Sequence, residues 1–233
     1  MKIAVAAGHT LRGSGSGAVG FLNESVEVRK IAVKVADLLK SAAHEVLYLQ
    51  IDKADSYKGE NYKTRVQRAN EWGANLYVEI HLNKTEGGYG SEIYTYNGSN
   101  LTKAVNVLSN LAELGFRNRG IKNQNLYVIK HTRCEAMLVE CCFCDSPIDY
   151  KLYNPDLIAK AIAKGIAGQA LSTSTTKAVN PKGKDKYTVN YCLEFQKWYN
   201  NITQTKAPIS QDGIYGKNTE KALQTITNIM KEF

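Results

Sequence analysis

Three short apolar runs in this 233-residue chain end on polar side chains of the kind that hold or assist a metal ion. Ile3–Ala7 leads into Gly8-His9, Leu76–Ile80 into His81-Leu82-Asn83, and Ala136–Val139 into Glu140. Short apolar runs rich in strand formers read as buried strands. Open α/β sheets keep their chemistry at the C-terminal ends of such strands. A catalytic zinc ion takes three protein ligands, often two histidines and a carboxylate, and leaves a fourth position for water. A nearby carboxylate then serves as general base and proton donor. His9, Glu24 and His81 are the candidate ligands here, and Glu140 is the candidate base. The plain alternative is two satisfied histidines and two solvated acids. For Glu24 both readings stay open, because an acid in the first turn of a helix also complements the helix dipole. Asn83 is a candidate for orienting substrate or a ligand; a strand-end hydrogen bond would explain it equally well.

The elements that must deliver these groups alternate. After the first strand, the Gly/Ser-rich stretch Thr10–Gly20 lacks the Gly-Lys-Ser/Thr ending of a phosphate loop and reads as a mobile active-site loop. Asn23 caps a helix running to Ser41, with Val28, Ile31, Ala32, Val35, Leu38 and Leu39 at helical spacing. A strand at His44–Leu49, a helix at Asn61–Gly73 and the strand Leu76–Asn83 complete a β-α-β-α-β series, which calls for an α/β sheet with right-handed crossovers. Further on, Ser91–Tyr96 alternates like an edge strand and Leu101–Phe116 is helical. Asn118-Arg119-Gly120 reads as the start of a loop, Leu126–Ile129 as a strand, and Pro155–Leu171 as a closing helix. His44 and His131 read as surface residues. Residues 172–186, rich in Ser, Thr and Lys, read as a linker. Residues 187–233 read as a small helical module with helices around Val189–Tyr199 and Asn218–Lys231 and a turn at Asp212-Gly213.

The formal charge is +8, and residues 173–233 hold nine lysines against five acids. Such a balance suits a polyanionic partner. No arginine-rich helix or aromatic-plus-basic motif favours nucleic acid, so an anionic wall polymer fits better. No run approaches the roughly 18 apolar residues of a membrane span, and the first residues do not resemble a secretory signal. The expected setting is therefore synthesis in the cytoplasm with no membrane insertion. Five cysteines, Cys134, Cys141, Cys142, Cys144 and Cys192, make a poor disulfide framework and read as buried thiols.

The ordered set Gly8-His9, Asn23-Glu24, Ile80-His81-Leu82-Asn83, Gly90-Ser91-Glu92 and Leu138-Val139-Glu140 resembles the zinc-dependent N-acetylmuramoyl-L-alanine amidases of the type 3 family, above all clostridial and phage wall hydrolases. The resemblance covers about residues 1–171. It implies an α/β fold with a mixed sheet of about six strands flanked by helices, Zn2+ on His9, Glu24 and His81, and Glu140 as the catalytic carboxylate. Two departures stand out. Thr10-Leu11 follows His9 where the family often has Gly-Gly, and Cys141-Cys142 fills a slot usually small or polar. The tail, through Phe195-Gln196 and Asp212-Gly213-Ile214-Tyr215-Gly216 with Thr219 and Ala222-Leu223, is similar to the helical peptidoglycan-binding domain.

The expected protein is thus a peptidoglycan hydrolase with a catalytic domain at 1–171, a linker at 172–186 and a small all-α wall-binding domain at 187–233. It would cut the bond between N-acetylmuramic acid and L-alanine at a Gram-positive cell wall, as a phage or prophage endolysin released by a separate membrane-permeabilising protein or, failing that, as a host autolysin. The rival readings are a zinc peptidase of the stem peptide, a wall-binding protein with a vestigial metal site, and a cysteine hydrolase using Cys141 or Cys142.

Overall fold

The computed structural model describes residues 1–53, 60–168, 195–197, 199–201, 209–211, 218–222 and 225. The chain divides into two compact units, Met1–Ser174 and Thr175–Phe233. The first unit follows the order β1 (Lys2–Ala7), α1 (Glu24–Ser41), β2 (Glu45–Leu49), α2 (Glu60–Trp72), β3 (Leu76–Asn83), β4 (Ser91–Thr95), α3 (Thr102–Glu113), β5 (Asn118–Lys122), α4 (Tyr127–Lys130), β6 (Glu135–Phe143), α5 (Pro147–Leu152) and α6 (Pro155–Ala167). The sheet order is β2-β1-β3-β6-β4-β5, mixed as expected. Among these strands, only the β4–β6 pair is antiparallel.

β3 and β6 lie at the centre, which explains their near-continuous apolar character: both faces of each are covered. One face packs under α1, α3 and α6, with Val5, Val78, Ile80, Val139, Ile31, Val35, Leu111 and Ile162 in one cluster. Truncating such a fully buried residue, for example Ile31→Ala, costs about 2–5 kcal/mol. The other face carries Ala4, Ala6, Tyr77 and Leu138 against Val66 and Ala69 of α2 and Val128 and Ile129 of α4. Alternation along the strands puts Glu79, His81 and Glu140 on this second face with Tyr77 and Leu138, so it holds the site.

α1 begins where its signals place it. Asn23 Oδ1 accepts from the Val26 N–H at 3.3 Å, Glu24 and Glu27 fill the first turn, and Lys40 the last. Glu27 does more than face the dipole: its carboxylate accepts from Lys30 Nζ and from the Tyr153 hydroxyl.

Four expectations are corrected. Leu126–Ile129 is not a strand; Tyr127–Lys130 forms the single turn α4, with Val128 and Ile129 buried. A short apolar run carries no period long enough to separate the two states. Asn118–Lys122, read as a loop, is the edge strand β5, held by its parallel pairing with β4. β4 is consequently internal. The strand before Glu140 continues through Cys141 and Cys142 to Phe143.

In the second unit, residues 195–197, 199–201 and 218–222 are helical. Gln196 Nε2 donates to Thr219 Oγ1 at 3.0 Å, with both residues and Ala222 buried. The linker 172–186, the turn Asp212-Gly213, and most of the two expected tail helices lie outside the described residues.

Candidate metal centre

Parallel pairing sets β3 beside β1 with Ala7 opposite Ile80, and beside β6 with His81 opposite Glu140. Antiparallel pairing then sets Glu92 of β4 opposite Glu140. His81, Glu140 and Glu92 therefore share one face in three adjacent strands. His9 follows β1 and Glu24 opens α1. Their donor atoms and that of His81 all lie within 4.8 Å of one another, so the three candidate ligands converge. His9 Nε2 is 2.9 Å and His81 Nδ1 3.0 Å from Glu24 Oε1.

Each member is held from behind. His9 adopts φ 59°, a left-handed conformation unusual for a side chain other than glycine. Arg29 Nη2 donates to its carbonyl at 3.2 Å, and its own Nδ1–H donates to Gly15 O at 3.0 Å. Glu24 Oε2 accepts from the Ala18 N–H at 2.8 Å and Oε1 from the Leu82 N–H at 3.1 Å. The chain makes room for these groups at two glycines. A Cβ at Gly17 would stand 2.5 Å from Glu24 Oε2, and one at Gly8 2.5 Å from His81 Nε2. The loop between residues 10 and 20, expected to be mobile, is thus part of the support.

The donor set suits a cation. With Nδ1–H given to Gly15, the His9 Nε2 lone pair faces a carboxylate oxygen, and two such acceptors need a proton or a metal ion between them. Metal–nitrogen and metal–oxygen bonds of about 2.0–2.2 Å in a tetrahedral zinc site place ligand atoms about 3.3 Å apart, so small adjustments suffice. Burial would raise the Glu24 pKa, but in the absence of a metal ion protons shared with the His81 and His9 rings, through hydrogen bonding and charge, outweigh it and hold the carboxyl far below the usual range. Burial would lower that of His81; hydrogen bonds to Glu24 and Glu79 and the charge of Glu140 push it up to about 10.

Glu140 differs from these. Burial chiefly, with the nearby charges of Glu24, Glu92 and Glu79, moves its carboxyl up to about 7 against the pull of His81. Its Oε2 is buried and has no hydrogen-bond partner among the described residues. Asn83 is engaged elsewhere: Nδ2 donates to Glu92 Oε1 at 2.8 Å and Oδ1 accepts from the Lys84 N–H. Glu92 also receives the Tyr94 hydroxyl and Arg119 Nε. A cavity of about 480 Å³ opens beside His9 and His81 between α2 and α4, walled by Tyr62, Tyr127 and Leu138. His44 lies before β2, near the N-terminal amine, and His131 stacks on Tyr127; neither joins the donor set. Cys141 and Cys142 are fully buried with thiol pKa values pushed well up by that burial, the reverse of an activated nucleophile.

Sequence reasoning missed Glu79, Arg65 and Tyr77, which form a buried polar cluster under His81. Glu79 was visible as an acid inside an apolar strand, the one signal that could have singled it out.

Three potential metal donors beside a buried carboxylate with no hydrogen-bond partner among the described residues are an arrangement suited to metal-assisted hydrolysis. The N-acetylmuramoyl-L-alanine amidase family model matches residues 3–171, and the chain belongs to that family. A protein of Clostridium perfringens is 33% identical over 196 residues, 79% of the chain, and the chain spans 56% of that relative's length. The endolysin of Bacillus phage SPP1 is 28% identical, over 77% of the chain and 70% of its own. Among solved structures, the catalytic domain of the CD27L endolysin targeting Clostridia difficile superposes with a TM-score of 0.64 at 32% identity, covering 71% of this chain and 96% of that domain.

Proposed function

We propose that this chain hydrolyses the amide bond between the lactyl group of N-acetylmuramic acid and the L-alanine of the stem peptide in bacterial peptidoglycan. The observation that carries the reading is the convergence of His9, Glu24 and His81 beside Glu140, whose buried carboxylate has no hydrogen-bond partner among the described residues, in a chain of the amidase family. His9, Glu24 and His81 would hold Zn2+. When bound, such an ion supplies Lewis acidity, polarising a carbonyl and making water a better nucleophile. Glu140 takes the proton of the attacking water and delivers it to the departing amine of L-alanine. Burial pushes this carboxyl above the usual range, which favours its holding the proton between the two transfers. Asn83, partly exposed at the end of β3, would contact substrate while tethered to Glu92.

The catalytic domain is assigned to 1–171, the linker to 172–186 and a wall-binding domain to 187–233. Holding the enzyme on its polymer raises its effective concentration there. The setting is the Gram-positive cell wall, as a phage or prophage endolysin. No helix among the described residues is long and apolar enough to cross a membrane.

The test is digestion of purified Gram-positive walls with and without a chelator. New N-terminal L-alanine, no new reducing sugar, and loss of activity that zinc restores are the expected results. New amino groups from any other stem residue would make the protein a peptidase. Wall binding without new ends would leave it a binding protein.

A further inference from the structure

Beneath His81, on the same face of β3, lies a polar cluster that the proposed chemistry does not use. Glu79 is 1% exposed and Arg65, reaching in from α2, is 2% exposed. Arg65 Nη2 donates to Glu79 Oε1 at 2.9 Å and Arg65 Nε to Oε2 at 3.4 Å, while the Tyr77 hydroxyl donates to Oε2. The remaining partner of Oε1 is His81 Nε2, at 3.0 Å. An ionised carboxylate only accepts, so His81 Nε2 carries a hydrogen here, and Nδ1 is the nitrogen that faces Glu24. Gly8 closes the other side of the ring, since a Cβ there would stand 2.5 Å from Nε2 and 2.6 Å from Cε1.

Stability alone is a poor reason for this arrangement. Replacing a buried ion pair by apolar groups of similar volume is often neutral or stabilising. This pair is also incompletely satisfied among the described residues, where Arg65 Nη1 is buried with no partner. What the cluster does accomplish is to fix one imidazole in one tautomer and one orientation. His9 donates the equivalent hydrogen bond to a neutral backbone carbonyl, Gly15 O. Of the two rings, His81 alone donates it to a carboxylate, which makes that ring the more basic ligand.

We propose that Glu79, itself held by Arg65 and Tyr77, is a positioning residue that locks His81 as the Nε2–H tautomer and presents Nδ1 to the metal ion. This rests on reading His9, Glu24 and His81 as a metal-binding set. The consequence is that metal affinity, beyond fold stability, is set partly by residues that never touch the metal.

The test uses the full chain with zinc as the probe. Zinc affinity is read by competition with a chromogenic chelator, and stability by thermal unfolding of the zinc-free protein. The triple variant Tyr77→Phe/Arg65→Met/Glu79→Leu removes the cluster without stranding a buried charge or hydroxyl. The double variant Arg65→Met/Glu79→Gln keeps a neutral acceptor for His81. The triple variant is expected to unfold within a few degrees of wild type when zinc-free but to bind zinc roughly 10–100-fold more weakly. The double variant should recover part of that loss. In the zinc-loaded wild type, ring-nitrogen resonances should show His81 protonated at Nε2. Equal zinc affinity of wild type and variants, or a proton on His81 Nδ1, overturns the positioning role while leaving the metal site standing. A wild type that takes up no zinc overturns the metal reading and this one with it. If the triple variant does not fold, the double variant's affinity and the wild-type tautomer decide.

Discussion

Replacing Glu140 with glutamine should abolish most of the activity and at the same time make the zinc-free protein more stable. In the fold, burial raises the Glu140 pKa from 4.5 to about 7. Between those values the folded protein retains a proton that the unfolded chain has released, so stability falls as pH rises through this window. The penalty is absent below pH 4.5 and fully present above pH 7. At about 1.4 kcal/mol per pKa unit, the shift corresponds to roughly 3 kcal/mol. Glutamine matches the protonated acid in shape and carries no charge, so it escapes the penalty. Urea unfolding in the presence of a chelator, at pH 4.5 and at about pH 8, reads the effect. The two proteins should be nearly equal at the lower pH, and the variant about 2–3 kcal/mol more stable at the higher. Comparing the two cancels the titrating groups that the Glu140 charge does not reach; His81, whose pKa that charge helps to raise, is coupled to it. Bound zinc, being positive, lowers the Glu140 pKa and should shrink the gap. In wall digestion the loaded variant should lose about 10²–10⁴ in rate, the usual worth of a general acid–base group. A variant no more stable than wild type at the higher pH, or a gap of the same size at both, would show that Glu140 is not held in the environment described.

Gly17→Ala places a Cβ 2.5 Å from Glu24 Oε2; zinc titration should show at least a roughly tenfold weaker site, because displaced ligands lose affinity as surely as displaced supporting groups do. Zinc at 100 times its dissociation constant should stabilise the wild type by about 2.7 kcal/mol and leave Glu24→Gln almost unmoved, as chelator-controlled urea melts would show. Cys141→Ala and Cys142→Ala should each cost about 1–3 kcal/mol in stability yet retain hydrolysis within a few fold, and native protein should resist alkylation at both positions. Loss of activity in either variant with the fold intact would restore the cysteine-nucleophile reading.

The parts of the molecule legible in the sequence are those whose signals are local. Leu76–Asn83 is a strand with the expected bounds because a long β-rich apolar run has few alternatives. Asn23 and the apolar stripe after it define α1 through the cap and the 3.6-residue period. Residue types at the ends of such elements, His9, His81 and Glu140, announce the chemistry. Elements that exist only through partners were not legible: β5 is a strand because β4 pairs with it, and Tyr127–Lys130 is a helical turn packed over α2 and β6. The same limit applies to the site. Asn23-Glu24 leaves both capping and ligation open, and the register of β1 with β3 carries His81, 57 residues away, to within 3.0 Å of Glu24. Glu79 stood in plain view as an acid in an apolar strand, yet its meaning depends on Arg65 arriving from α2. The sequence by itself determined which donors are available and the strands and helix that carry them. Tertiary structure decided which of them meet, how each ring is turned and which carboxylate is left without a partner, because distance, burial and charge between remote segments arise only once the sheet is assembled.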